Sequence, residues 1–470
     1  MAIGQTEAMR FQRASTLAAA AVLAACGCAS MKAPEHPASS QPATGPATGA
    51  PSAAAAATDW PVYHLNAART GSALGLPRAG PLGVAWTREL DGAVYGQPLV
   101  IGGLVVAATE NDSVYGLDRA SGAIRWRRHV GTPVPLSALP CGNIDPLGIT
   151  GTPAYDPRTR LVYAVAEQTG FQHVLYGFSL SGQIKVRRDL PTPDGHPRYD
   201  QQRPALAITA SRVYVAFGGL YGDCGPYIGS VVGAPLSGHG ALISYRVPTT
   251  REGAVWGTGG PTLGPHHALY VSVGNGAATS GQYDGSDSVL ALSPGLSRTG
   301  LFAPSTWAND NANDLDLGSM SPAVLADGSI VADGKRGTAY LLNGGRLGGV
   351  GGQRAQAPVC PAFGGPSAQG TVAYIPCAEG GMAAVDTAGG RLRILWRGPA
   401  SAAGSPVLGG GAVWVPDVDS GTLYELNPST GRIQHQIGLG SALPHFASPS
   451  LSGHLAFVGT LTGVTAVRGA

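Results

Sequence analysis

From Trp60 onward, apolar residues fall in short runs rich in Val, Tyr and Leu, separated by Gly, Asp and Asn. Runs of this length between such turn residues predict β-strands, not helices. One pattern recurs eight times: a proline followed by one or two apolar residues, then two β-rich runs. The prolines are Pro98, Pro153, Pro204, Pro261, Pro322, Pro366, Pro406 and Pro449. The first β-rich runs are 105–108, 161–166, 213–217, 269–273, 330–332, 372–376, 413–415 and 455–458. The second are 114–117, 175–178, 231–234, 289–292, 339–342, 382–385, 423–426 and 464–467.

The proline spacings lie near the roughly 40–50 residues of a four-stranded propeller blade, with longer ones in the middle. The last unit stops after its third strand. Upstream of the first unit lies an unassigned strand, Val84-Ala85-Trp86-Thr87-Arg88, which mimics the outer strand Ile124-Arg125-Trp126-Arg127-Arg128. Placed in the last unit, it closes the ring and removes an exposed edge. The expected fold is all-β: an eight-bladed β-propeller of four-stranded antiparallel blades, closed by an N-terminal strand.

Composition adds little to the fold and excludes one class of partner. Charged residues are 12% of the chain, glycines number 71, and the net charge is +2 with no basic cluster. Nucleic acid is therefore not an expected partner. Ahead of the repeats, Arg10 and Arg13 precede an apolar run, 14–25, too short to span a bilayer. Met9 is an alternative start, because Glu7 spoils the basic region before it. Residues 29–58 are almost all Ala, Pro, Ser, Thr and Gly, the composition of a tether with no face to bury. The expected division is signal peptide 1–25, tether 26–58 and propeller 59–470.

The apolar run ends in Leu23-Ala24-Ala25-Cys26, which resembles the lipobox of bacterial lipoprotein signals. The resemblance implies cleavage before Cys26 and a diacylglycerol on its thiol, giving an extracytoplasmic protein anchored to the membrane. An ordinary cleaved signal is the alternative. In the first blade, Tyr115-Gly116-Leu117-Asp118-Arg119-Ala120-Ser121-Gly122-Ala123-Ile124-Arg125-Trp126 resembles the repeat of pyrroloquinoline-quinone (PQQ) propellers. That resemblance implies an Asp- and Gly-shaped turn and a Trp docked between blades. Weaker copies stand at Leu426-Asn427-Pro428-Ser429-Thr430-Gly431 and Val385-Asp386-Thr387-Ala388-Gly389.

Cys360 is placed at the start of the inner strand of blade six and Cys377 at the end of the next strand. Those positions lie opposite each other, so a disulfide is expected. Cys141 and Cys224 fall on loops of one propeller face, where a second bridge is plausible outside the cytoplasm. No Cys-x-x-Cys or paired His at ligand spacing favours a metal instead, and no Cys-x-x-Cys-His attaches a haem.

The loops that lead into inner strands and those between second and third strands emerge on the same face. Trp256, Asn275, Asp314 and Lys335 all lie on such loops, in blades four and five, and Lys335 is one of three lysines in the chain. They resemble, in order and position, the site of quinoprotein alcohol dehydrogenases. The resemblance implies Trp256 as a floor for a planar quinone and Asn275 as an oxygen ligand of Ca²⁺. It implies Asp314 as general base towards an alcohol and Lys335 as donor to a quinone oxygen. Asp316 is a further cofactor contact, and Asp314 and Asp223 are further Ca²⁺ ligands.

Two features of that family are missing: the adjacent cysteine pair, and a glutamate from an earlier blade, for which Asp223 and Glu167 are the nearest substitutes. Each residue also has a structural reading. Asp314 and Asp316 would satisfy loop N–H groups, Asn275 would occupy a turn, Trp256 would pack between blades and Lys335 would pair with a carboxylate. His266 and His267 belong to the opposite face, and His445 stands alone on the site face.

Two functions follow. One is a PQQ- and Ca²⁺-dependent dehydrogenase with an alcohol or polyol substrate and a separate electron acceptor. The other is a cofactor-free scaffold for an envelope protein or glycan. A monomer is expected in either case.

Overall fold

The computed structural model describes residues 58–399 and 404–469. Cys26 and the expected signal and tether lie outside them, save for the tether's last residue. Among the described residues, eight sheets form an eight-bladed β-propeller. Blade one runs outward through Leu99–Ile101, Leu104–Thr109, Ser113–Asp118 and Ile124–His129. Every later blade repeats this antiparallel order, each inner strand following one of the eight prolines. In blade one Val105 lies opposite Leu117 and Val106 opposite Gly116.

Blade eight closes as expected. Leu82–Glu89 pairs antiparallel with Gly463–Gly469, Val84 opposite Val467 and Thr87 opposite Thr465. Three blades carry extra short strands that the repeat did not announce. Asp200–Gln201 adds to blade three, Gly349–Val350 to blade four and Ser72–Ala73 to blade seven.

The core lies between blades. Val106, Ala108 and Val114 of blade one meet Val162, Ala164, Tyr176 and Phe178 of blade two. Equivalent clusters join the remaining neighbours. Three tryptophans fasten blades further out. Trp86 donates from Nε1 to Arg119 O (3.1 Å), Trp126 to Leu180 O (2.9 Å) and Trp396 to Pro428 O (2.8 Å). In the turn that receives Trp86, Asp118 Oδ1 accepts from Ala120 N and Ser121 N, and Gly122 has φ 68°. A Cβ on Gly122 would lie 2.5 Å from Trp86 Cε3, so the turn requires glycine twice over, for conformation and for space.

Both disulfides form: Cys141–Cys224 with Cα atoms 6.2 Å apart, and Cys360–Cys377 at 5.6 Å. Cys360 does not begin the inner strand of blade six, which starts only at Ser367. A bridge between Ala362 and Cys377 prolongs the pairing and brings Cys360 within reach.

The segment ahead of the closing strand has no counterpart in the repeat pattern. It threads the axis and bonds to nearly every blade. Trp60 pairs with Val100 of blade one, and Tyr155 N of blade two donates to Pro61 O (2.8 Å). Arg69 donates to Leu206 O beside blade three (2.7 Å), and Leu263 N of blade four to Ala67 O (2.9 Å). Ala368 N of blade six reaches Thr70 O (2.8 Å), and Leu408 N of blade seven reaches Gly71 O (2.7 Å). At the centre His64 is fully buried and stacked on Tyr63, its rings' centroids 4.1 Å apart. Its Nε2 lies 3.0 Å from Ser448 Oγ of blade eight. Burial pushes the His64 pKa down to about 3, so its imidazole is neutral.

Candidate functional site

Trp256 stands on the loop leading into blade four, and Asn275 follows that blade's second strand, Leu269–Val273. Asp314 and Asp316 lie between the helix Trp307–Ala312 and the short turn Leu317–Ser319. Lys335 follows the second strand of blade five, Ser329–Ala332. The structure brings all five together at the channel mouth.

Lys335 is the hub. Its Nζ lies 2.5 Å from Asp314 Oδ1 and 2.8 Å from Asp316 Oδ2, and 5.8 Å from the centre of the Trp256 ring. Trp256 Nε1 donates to Asp316 Oδ1 (3.3 Å), and Asn275 Nδ2 donates to Asp314 Oδ1 (2.7 Å). The two aspartates differ in exposure: 4% for the Asp316 side chain, 69% for that of Asp314. Asp316 is therefore a buried counter-ion, whereas Asp314 reaches solvent through the oxygen that Lys335 and Asn275 leave unused. Burial works against the charge on Lys335, yet Asp316 and Asp314 outweigh it and raise its pKa. Burial raises the pKa of Asp316, and Lys335 opposes the rise.

The loops hold this arrangement by their own bonds. Asp314 has φ 53°, a left-handed conformation that aspartate tolerates better than most residues. Lys335 N donates to Asp316 O (3.0 Å), and Leu317 N to Asp287 Oδ1 (2.7 Å). Arg336, next in the chain, is ion-paired to Asp310 of the helix. Lys335 and the aspartate loop are thus positioned as one unit.

Asp223 does not join this contact. It is exposed on blade three, also at positive φ, and accepts a 2.6 Å hydrogen bond from the Tyr227 hydroxyl. Its charge is nevertheless felt at Asp316. Glu167 is buried in blade two, its Oε2 3.2 Å from His173 Nε2. His267 is exposed beyond the inner strand of blade four, and His445 lines the channel near Arg203.

Four residues escaped the sequence reading. Phe363 and Phe446 pack against Trp256 with centroids 6.2 and 6.1 Å away, and stack on each other at 6.1 Å. Arg203 lies over Phe446, its Cζ 5.2 Å from the ring centre. Glu252 precedes Trp256, is ion-paired to Arg251 and feels both Asp223 and Asp314. The signal was present, since Phe363, Phe446 and Arg203 all occupy loops running into blade-opening prolines.

A planar quinone and a calcium ion can be tested against this donor set. The Asn275 Oδ1 atom is buried with no hydrogen-bond partner, as an oxygen ligand would be. Trp256 supplies a flat aromatic face and Lys335 a cation beside it. The described residues contain no group of three His, Cys, Asp or Glu side chains able to hold a metal. Against the six to eight oxygens calcium takes, Asn275 and Asp314 would offer two, and the remainder would have to come from cofactor and water.

The chain matches the profile of the family described as outer membrane protein assembly factor BamB over residues 83–195 and 302–469, together more than half its length. No curated protein matches it in sequence. Among solved structures it is similar to quinohemoprotein alcohol dehydrogenase ADHIIG from Pseudomonas putida HK5, at 13% identity and TM-score 0.65 over 88% of this chain and 80% of that one. A europium-containing methanol dehydrogenase matches at 16% identity and TM-score 0.65, over 87% and 90%. BamB from Moraxella catarrhalis matches at 16% and 0.57, over 83% of this chain and 100% of that one. At these identities the likeness is one of fold.

Proposed function

Because this chain belongs to the PQQ-like propeller family described as outer membrane protein assembly factor BamB, we propose that it has kept a cofactor site on that scaffold. In this reading it is an extracytoplasmic quinone-dependent dehydrogenase of an alcohol or polyol. One observation carries the reading: Lys335, Asp314, Asp316 and Asn275 converge beside Trp256 from separate loops, with the Asn275 carbonyl oxygen buried and unpartnered.

Trp256 would lie under the quinone, and Lys335 would donate to one of its oxygens. Asn275 and Asp314 would hold calcium. The bound quinone would supply the two-electron acceptor that no side chain provides. Asp314, open to solvent at its second oxygen, would accept the hydroxyl proton of the substrate. Asp316 keeps Lys335 charged and in place. The two disulfides support a compartment outside the cytoplasm, and an anchor at Cys26 would hold the protein at the membrane.

Calorimetric titration of PQQ, with and without Ca²⁺, tests this. Stoichiometric, calcium-dependent binding is expected, weakened about tenfold in Asp314→Ala and Asn275→Ala by loss of a charged or ligating contact. Absence of binding in both conditions would sink the enzyme reading.

A scaffold reading has its own support. Asp314 Oδ1 is already tied to Lys335 and Asn275, which is what an ordered loop needs without a ligand. It would leave the channel face to an envelope partner.

A further inference from the structure

The axial segment satisfies the inner strands of blades two and four but passes over the strand between them. Tyr155 N donates to Pro61 O (2.8 Å) and Leu263 N to Ala67 O (2.9 Å). Ile208 holds the corresponding place in blade three: it lies opposite Val213, as Tyr155 lies opposite Val162 and Leu263 opposite Leu269. The next residue bonds back across the hairpin, Thr209 N to Arg212 O (3.0 Å), so by the alternation of an antiparallel pair the Ile208 N–H points to the axis. Among the described residues it meets no acceptor there. The axial segment turns aside at this point, with Leu65 N bonded to Val62 O (3.1 Å).

The detour leaves a cavity of about 350 Å³ on the face opposite Trp256, within the roughly 300–1,000 Å³ of small-molecule sites. Its walls are mainly apolar, with Val62, Leu65, Ile208 and Leu263 among them. Its charge is unbalanced. Arg69 and Arg158 line it against a single carboxylate, Asp156, which is ion-paired to Arg158 (2.8 Å). Arg69 is 4% exposed and rests near the Tyr63 ring; its Nη1 and Nη2 donate to Tyr63 O (3.0 Å) and Leu206 O (2.7 Å). Its Nε is buried without a partner. Burial lowers the Arg69 pKa to about 10, which leaves it charged at neutral pH. A buried cation with no counter-ion is costly, and water cannot neutralise it. Leu65 and Arg69 also hold left-handed backbone, φ 74° and 56°, a strain that gathers where ligands are clamped.

We infer that this cavity binds a small monocarboxylate with an apolar body. The carboxylate accepts the Ile208 N–H within the field of Arg69 and Arg158, and the body lies against Val62, Leu65 and Leu263. It supplies at blade three the acceptor that Pro61 and Ala67 supply on either side, together with the missing negative charge. The site stands apart from Trp256 and is independent of any quinone.

Calorimetric titration of the protein with 4-bromobenzoate tests this, and crystals soaked in the same acid, measured at the bromine absorption edge, locate it. Stoichiometric binding and one anomalous peak inside the cavity are expected. 4-Bromobenzyl alcohol, which keeps the body and drops the charge, should bind about tenfold more weakly or worse. Ile208→Pro, which deletes an N–H that no strand uses, should weaken the acid by about tenfold. Arg158→Gln, at the half-exposed rim, should weaken it severalfold and stands in if the proline variant does not fold. Absence of binding by the wild type, or a bromine peak elsewhere, would overturn the assignment. So would equal binding of acid and alcohol, since the cavity would then be blind to charge.

Discussion

Lys335 and Asp316 form the pair on which the site stands, and their exposures decide what a substitution does. Asp316 is buried, so removing its partner leaves a carboxylate without a counter-charge. Lys335→Met should destabilise the protein by about 3 kcal/mol, read as a shift in urea midpoint. Adding Asp316→Asn to that variant should return most of the loss, because the double change removes the orphaned charge. If the single variant costs nothing, Asp316 is not ionised against Lys335.

A second group of residues sets the pH response. Burial raises the pKa of Asp112 and of Asp200 to about 9, and both side chains are almost wholly buried. The folded state therefore holds protons that the unfolded chain releases near its ordinary aspartate pKa of 3.8. Their contribution to stability is full below that value, declines as pH rises and is lost above about 9. The melting midpoint should fall between pH 5 and 9, and Asp112→Asn should flatten the slope. A midpoint that rises over that range would contradict the assignment.

At this scale the sequence announced Trp256, Asn275, Asp314, Asp316 and Lys335, because blade arithmetic places them on one face. It did not announce Arg203, Phe363 or Phe446. Those stand on loops of the same face, but in blades three, six and eight, and sequence spacing does not tell which of those loops meet across the axis.

Among elements, the tryptophan docks are the most sharply specified. Gly122→Ala puts a methyl into the Trp86 ring at a residue already in left-handed conformation. A loss of about 2–4 kcal/mol is expected in chemical unfolding. The second and third strands of every blade were legible because they are short, nearly continuous apolar runs between turn residues, as strands buried on both faces are. The axial segment was not, because it makes no repeat. Its bonds run from main-chain carbonyls of Pro61, Ala67, Thr70 and Gly71 to different blades. Main-chain pairing of that kind leaves almost no mark on side-chain pattern. The short strand Asp200–Gln201 was hidden for the same reason: two polar residues give no alternation to read.

For the molecule as a whole, the ring depends on a strand borrowed from the far end of the chain. A protein beginning after Glu89 would expose Gly463–Gly469 as an unpaired edge. Self-association in size-exclusion chromatography is expected for that truncation, whereas a chain beginning at residue 59 should run as a monomer. If the shorter chain also runs as a folded monomer, closure through Leu82–Glu89 is dispensable.

The plug at His64 and Tyr63 has a kinetic meaning as well as a structural one. A propeller channel open at both ends would let a small molecule enter by one face and leave by the other. With the axis stoppered by Trp60 to Gly71, a molecule bound beside Trp256 would have no way out through the opposite face. Whatever goes in must come out the same way, so departing and arriving molecules compete for one passage. A protein seated on that face would shut it completely, and partner and small molecule would then exclude each other.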